Sequence, residues 1–135
     1  MNHIGTQYIE TERLILRRFE LSDAPAMFAN WASDDEVTKY LTWPTHADVS
    51  VTEGILGQWV PQYEKDDYYN WAIVLKENGS QPIGNINVAH LREDGTAPEI
   101  GYCMGKRWWH QGIMSEALSA VIDFLFHQVD IRRIL

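Results

Sequence analysis

The chain has 135 residues, 45% of them apolar and a single Cys, with a formal net charge of −8. That length and apolar share suit one domain with a real core, spanning residues 1–135, without disulfides or metals. The acidic balance argues against nucleic acid and against an anionic membrane surface, both of which attract basic proteins. It is compatible with a cationic partner such as an amine.

The start, Met1 to Thr6, lacks a basic-then-apolar leader pattern, and no apolar run approaches a membrane span, so cytoplasm is the expected location. Residues 12–19 read as a first strand, with Leu14 and Leu16 alternating against Arg13, Ile15 and Arg17. Ser22 then predicts an N-cap. Ala24, Met27, Phe28 and Trp31 follow at helical spacing, with Pro25 in the first turn, where proline is tolerated. Ser33 to Glu36 has capping-box spacing ahead of Val37, Tyr40 and Leu41, and Ser50 to Glu53 repeats it ahead of Val51, Ile55 and Trp59.

The pattern changes near residue 70. Trp71 to Leu75 reads as a buried strand, Asn78-Gly79 as a hairpin turn, and Ile83 to Ala89 as the returning strand. The apolar phase of that strand slips between Ile83 and Ile86, which predicts a bulge near Gly84. After a turn at Asp94-Gly95, Glu99 to Met104 predicts a strand with Ile100, Tyr102 and Met104 on one face and Glu99, Gly101 and Cys103 on the other. Residues 112–128 carry a helical stripe of Met114, Ala117, Leu118, Val121, Ile122 and Leu125. Ile131 to Leu135 opens a further strand. The order predicts an α/β (α+β) fold with a central mixed sheet flanked by helices.

The segment from Gly105 to Gly112 joins a strand to the long helix and ends on glycine. The first amides of a helix lack internal partners, and with the helix dipole they favour an anion. Gly112 lets a phosphate approach the backbone, Ser115 adds a hydroxyl, and Lys106 and Arg107 add positive charge. Neither a P-loop nor a dinucleotide fingerprint fits: no Gly-Lys-Ser/Thr is present, and Gly105 and Gly112 have the wrong spacing.

Three stretches resemble the GNAT acetyltransferase superfamily, in its ribosomal-protein N-terminal (RimJ/RimL-like) branch. They are Thr11 to Arg17, Pro98 to Tyr102, and Trp109 to Ala117, in the family's order. Trp109 stands where the superfamily loop has Gln or Arg, His110 where this branch often has glycine, and Met114 where a small residue is usual; Gly112 is kept. The resemblance implies that acetyl-CoA binds as co-substrate. Its pyrophosphate would lie on the amides of Gln111, Gly112, Ile113, Met114 and Ser115, beside Trp109 and His110. Its pantetheine arm would run along Tyr102, Cys103 and Met104, with a backbone N–H near Met104 polarising the thioester carbonyl.

The resemblance further implies transfer to a primary amine, of a protein N-terminus or a small molecule, with Glu99 as general base. Trp43, in a loop between Thr42 and Pro44, is the aromatic expected near that substrate. Cys103 has no neighbouring His or Asp and reads as a small buried strand residue. No metal is predicted, since His3, His46, His90 and His127 show no ligand spacing. Family members continue past this point, so the chain reads as C-terminally incomplete. A homodimer is the expected cover for a sheet edge left at 131–135. A catalytically silent acyl-CoA-binding module and a ligand-free structural fragment are the alternative readings.

Overall fold

The computed structural model describes residues 2–39, 41, 43–89 and 99–130. Tyr40, Thr42, His90, the expected turn at Asp94-Gly95, Pro98 and the expected strand at 131–135, with the edge and dimer tied to it, lie outside them. The elements are β1 (Ile9–Glu10), β2 (Leu14–Arg17), α1 (Ala24–Met27), α2 (Asp35–Thr38), α3 (Val49–Trp59), β3 (Tyr69–Leu75), β4 (Pro82–Ala89), β5 (Glu99–Met104) and α4 (Ile113–Phe124). The five strands form one sheet in the order β1-β2-β3-β4-β5, antiparallel at every described pairing. The parallel member of the expected mixed sheet would be the strand at 131–135.

The sheet separates two apolar layers, because residues on a strand alternate between faces. Leu14 and Leu16 of β2, and Trp71, Ile73 and Leu75 of β3, pack with Ile113, Ala117, Val121 and Phe124 of α4. On the opposite face Ala72 and Cys103 meet Phe19, Met27, Trp31 and Leu56 from the α1 and α3 side. β5 shows the predicted division: Met104 and Ile100 face the α4 layer, while Cys103 faces the other.

Several boundaries differ from the sequence reading, each for a local reason. β1 is only two residues long, too short to carry a period, and it pairs Ile9 with Leu16 and Glu10 with Ile15. Ser22 falls inside a 3-10 turn (Leu21–Asp23). There Asp23 accepts from Glu20 N at 2.8 Å and holds Arg17 at 2.9 Å, so a carboxylate with two partners replaces the serine hydroxyl. The caps of α2 and α3 are Asp34 and Asp48, whose side chains accept from Glu36 N and Ser50 N. Aspartate caps as well as serine, which is why residue type alone misplaced both by one or two positions.

In α3 the buried positions are Thr52 and Leu56, with Ile55 and Trp59 beside them, and Val51 is exposed. Thr52 Oγ1 pairs with His46 Nδ1 at 2.7 Å. A satisfied hydroxyl at an interior position is invisible to a count of apolar residues. The buried line of α4 keeps Ala117 and Val121 of the expected stripe and adds Ile113 and Phe124; Met114 and Leu118 pack partly against the core, and Ile122 is exposed. A π-helical turn (Leu125–Val129) then continues it and buries Leu125 and Val129.

β3 and β4 form the expected antiparallel hairpin, with Asn78-Gly79 in a connection longer than two residues. That connection holds a 3-10 turn (Lys76–Asn78) followed by Gly79 at φ 83°. The bulge lies where expected: Ile73 pairs with Gly84 but Val74 with Pro82, so Ile83 is the extra residue. A Cβ on Gly84 would sit 2.9 Å from Met104 Cα and closer still to Cys103 O. Glycine is therefore required for β4 to approach β5. Gly84→Ala is expected to destabilise the fold by about 1–3 kcal/mol. Thermal unfolding checks this, with Tm falling by roughly 5 °C or more.

Candidate functional site

Gly105 follows β5 and has almost no room for a side chain: a Cβ would lie 2.5 Å from Asn30 O and 2.6 Å from the Trp108 ring. A 3-10 turn (Lys106–Trp108) buries Trp108. Trp109 Nε1 then reaches back to Met104 O at 2.8 Å. His110 and Gly112 adopt positive φ, 63° and 75°, which turn the chain into α4. Gly112 is the N-cap and no side chain caps the helix. The first helical bond runs from Glu116 N to Gly112 O at 3.1 Å. The amides of Ile113, Met114 and Ser115 precede it and have no carbonyl a turn earlier to bond. Gln111, Gly112 and Ser115 are exposed. This turn is a helix start with no side-chain cap, and Ile113 within it is buried; a helix end of this kind favours an anion.

The turn is held from the far end of the sheet. Glu116 accepts from Thr11 Oγ1 at 2.5 Å, Arg13 N at 2.9 Å and Arg13 Nε at 2.7 Å. Partial desolvation pushes the Glu116 carboxyl up, but the Thr11 hydroxyl, the Arg13 amide and the Arg13 guanidinium outweigh it and hold it at about 2. Arg13 Nη1 also donates to Gln111 O at 3.0 Å.

On the sheet face opposite α4 lies a cavity of about 840 Å³. Its floor includes Asn85, Asn87, Glu99, Gly101 and Cys103; Trp43, Trp59, Leu41 and Val37 wall it on one side, and Trp109, Met114 and Met104 continue it toward the turn. Glycine at 101 leaves space for Asn87, whose Oδ1 lies 2.5 Å from where a Cβ would stand. Cys103 Sγ donates to Asn85 Oδ1 at 2.8 Å, Asn85 Nδ2 to Asn70 Oδ1 at 3.2 Å, and Asn70 Nδ2 to Tyr68 Oη at 3.1 Å. Burial pushes the Cys103 thiol up to about 12, so it is neutral and no nucleophile at ordinary pH.

β5 is the last strand of the described sheet. Gly105 N donates to Ile83 O at 2.8 Å. Main-chain groups alternate along an antiparallel strand, so Cys103 and Gly101 turn theirs to β4 while Tyr102 and Met104 turn theirs outward. Met104 O is taken by Trp109.

The structure thus brings Glu99, Tyr102, Cys103, Met104, Trp109, Met114 and Trp43 to one cavity, and sets His110, Gln111, Gly112, Ile113 and Ser115 at its helix end. Met114 packs partly against the core and forms part of the wall. Lys106 does not serve the turn: its Nζ pairs with Glu36 at 2.6 Å. Arg107 lies over the Trp108 ring. Sequence reasoning missed Asn85, Asn87 and the roles of Thr11, Arg13 and Glu116. The only signal for the first two was polar residues inside a strand. The clamp spans more than a hundred residues and had no local signal.

Residues 13–135 match the sequence model of the family described as an acetyltransferase (GNAT) domain. The chain is 34% identical over 125 residues to p20, an uncharacterised N-acetyltransferase of Bacillus licheniformis, covering 92% of this chain and 68% of that one. It is 30% identical over 126 residues to YoaA, an uncharacterised N-acetyltransferase of Bacillus subtilis, covering 93% and 70%. Among solved structures, a GNAT-family acetyltransferase from Bacillus anthracis superposes with a TM-score of 0.78 at 24% identity, covering 95% of this chain and 71% of that one. The ribosomal-protein-S5-alanine acetyltransferase from Vibrio fischeri gives 0.78 at 22%, covering 95% and 72%. At these identities the two structures speak for the fold.

The Glu116 clamp has a measurable pH signature. A carboxyl lowered from 4.5 to about 2 contributes stability that is fully present above its unfolded value and lost as pH falls through the folded one. Wild type is expected to lose about 2 kcal/mol more than Glu116→Gln between pH 4.5 and 2. Denaturant unfolding of the two proteins across that window measures the difference; parallel curves would contradict it.

Proposed function

The chain belongs to the GNAT acetyltransferase family, and from that premise we propose that it transfers an acetyl group from acetyl-CoA to a primary amine. The observation that carries the reading is the continuity of the site. One cavity runs from Glu99 and Trp43 along β5 to Trp109 and Met114, where the uncapped turn at Gly112 begins.

The donor supplies an acetyl group activated as a thioester. In the proposed arrangement the amides of Gln111 to Ser115 bind the pyrophosphate, with Trp109 and His110 flanking. Tyr102 and Met104 offer outward main-chain groups to the pantetheine arm, and Cys103 forms the floor beneath it. The Met104 carbonyl is engaged by Trp109, so the Met104 N–H is the group left to polarise the thioester carbonyl. The acceptor amine enters between Trp43 and the floor of Asn85 and Asn87. Glu99 takes its proton, directly or through a water, as nitrogen bonds to the acetyl carbon. The C–S bond then breaks and CoA leaves as the thiolate, which takes up a proton.

The acceptor class is a protein N-terminus or a small amine. The S5-alanine acetyltransferase resembles this chain in fold, and the acidic surface attracts either kind of cation.

Glu99→Gln is expected to lower turnover at neutral pH by at least about tenfold and to leave the calorimetric affinity for acetyl-CoA unchanged. Thiol release against a panel of peptide and small amines gives the turnover. Undiminished turnover would remove Glu99 from the mechanism, and binding without turnover on every amine would favour an acyl-CoA-binding module.

A further inference from the structure

Glu116 presents a difficulty for a phosphate site. It stands in the first turn of α4, immediately after the amides of Ile113, Met114 and Ser115. An unmasked carboxylate there repels a pyrophosphate over a few ångströms. Arg13 faces it from the β1–β2 turn with an Nε–Oε1 distance of 2.7 Å, while the Arg13 and Thr11 main-chain and hydroxyl donors take the second oxygen.

The same guanidinium controls a peptide plane. Nη1 donates to Gln111 O at 3.0 Å. No peptide bond here is cis. In a planar trans peptide the C=O and the following N–H point in opposite directions. Fixing the Gln111 carbonyl toward Arg13 therefore fixes the Gly112 N–H on the other side. Gly112 has φ 75°, and glycine is the residue that most easily lets a peptide flip. Nη2 lies 3.5 Å from where a Gly112 Cβ would stand and makes no hydrogen bond among the described residues. The Arg13 side chain is 43% exposed, so it reaches the turn from the solvent side.

We propose that Arg13 is a positioning residue for acetyl-CoA: it masks the Glu116 charge and locks the Gln111–Gly112 peptide so that the Gly112 amide faces the pyrophosphate. This rests on the reading that acetyl-CoA binds at the start of α4. Arg13 acts on the phosphates through the turn, so its loss is felt by ligands that carry them and by no others.

The test is calorimetric titration of the whole chain with acetyl-CoA and, by competition, with acetyl-pantetheine, which lacks the phosphates. Arg13→Ala is expected to weaken acetyl-CoA about tenfold, the effect of one charge-assisted contact, and to leave acetyl-pantetheine unchanged. Arg13→Ala/Glu116→Gln is expected to recover part of that loss, because the unmasked charge is gone. Arg13→Lys keeps a cation but not the fork, and falls between; it also serves if Arg13→Ala does not fold.

Equal weakening of both ligands would mean a merely structural role and would overturn the proposal. So would an acetyl-CoA affinity unchanged in Arg13→Ala and Arg13→Lys, or a double variant no tighter than Arg13→Ala. If wild type itself fails to bind acetyl-CoA, the underlying reading falls and the proposal with it. If wild type binds and the variants match it, the proposal falls alone.

Discussion

The carboxylate of Glu116 ties the two ends of this fold together. It takes a hydroxyl, a main-chain amide and a guanidinium from residues 11–13. The partners lie more than a hundred residues apart, so the contact forms only when β1, β2 and α4 are all in place. It fixes where α4 begins, and α4 supplies one of the two apolar layers through Ile113, Ala117, Val121 and Phe124. A helix that slid by one turn would move the Gly112 amides by about 5 Å along the helix axis and separate them from β5. The position of the Gly112 turn is thus set from the far end of the sheet.

The other face is built differently. There the sheet carries polar side chains into its interior: Asn70 and Asn85 are buried and joined in a chain with Tyr68 and Cys103. Burying carboxamides without partners is costly, but a satisfied network rigidifies what it touches. Tyr63 extends it by donating to Asn70 O and accepting from Phe19 N. This network stiffens the cavity floor, while the indoles of Trp43 and Trp59 wall it with flat apolar surface. Trp43 is itself backed by the His46 ring, 5.0 Å away between centroids, and His46 is anchored on Thr52 of α3. The Trp43 wall therefore traces back to a buried polar contact.

Much of this was legible in the sequence because it is written in periods. The face assignment of β5, the bulge opposite Ile73 and the existence of α4 all follow from local alternation or helical spacing. The Gly112 turn was legible because a glycine opening a helix has a chemical meaning of its own. Contacts that depend on satisfied polar groups were not legible. Thr52 sits in the core because His46 pairs with it, Asp34 and Asp48 displace the serine caps, and Glu116 finds Arg13 across the whole chain. Sequence patterns show which residues prefer burial; they do not show which polar residues will find partners.

In the proposed arrangement acetyl-CoA lies along the outward edge of β5 with its phosphates on the first amides of α4. Titrating acetyl-CoA into the 15N-labelled chain and following the amide signals by NMR tests it most directly. Saturable shifts are expected at Tyr102, Met104 and Gly112 to Ser115, with Gly79, on the β3–β4 link, unmoved. Saturable shifts that cluster elsewhere, or none at millimolar ligand, would contradict it.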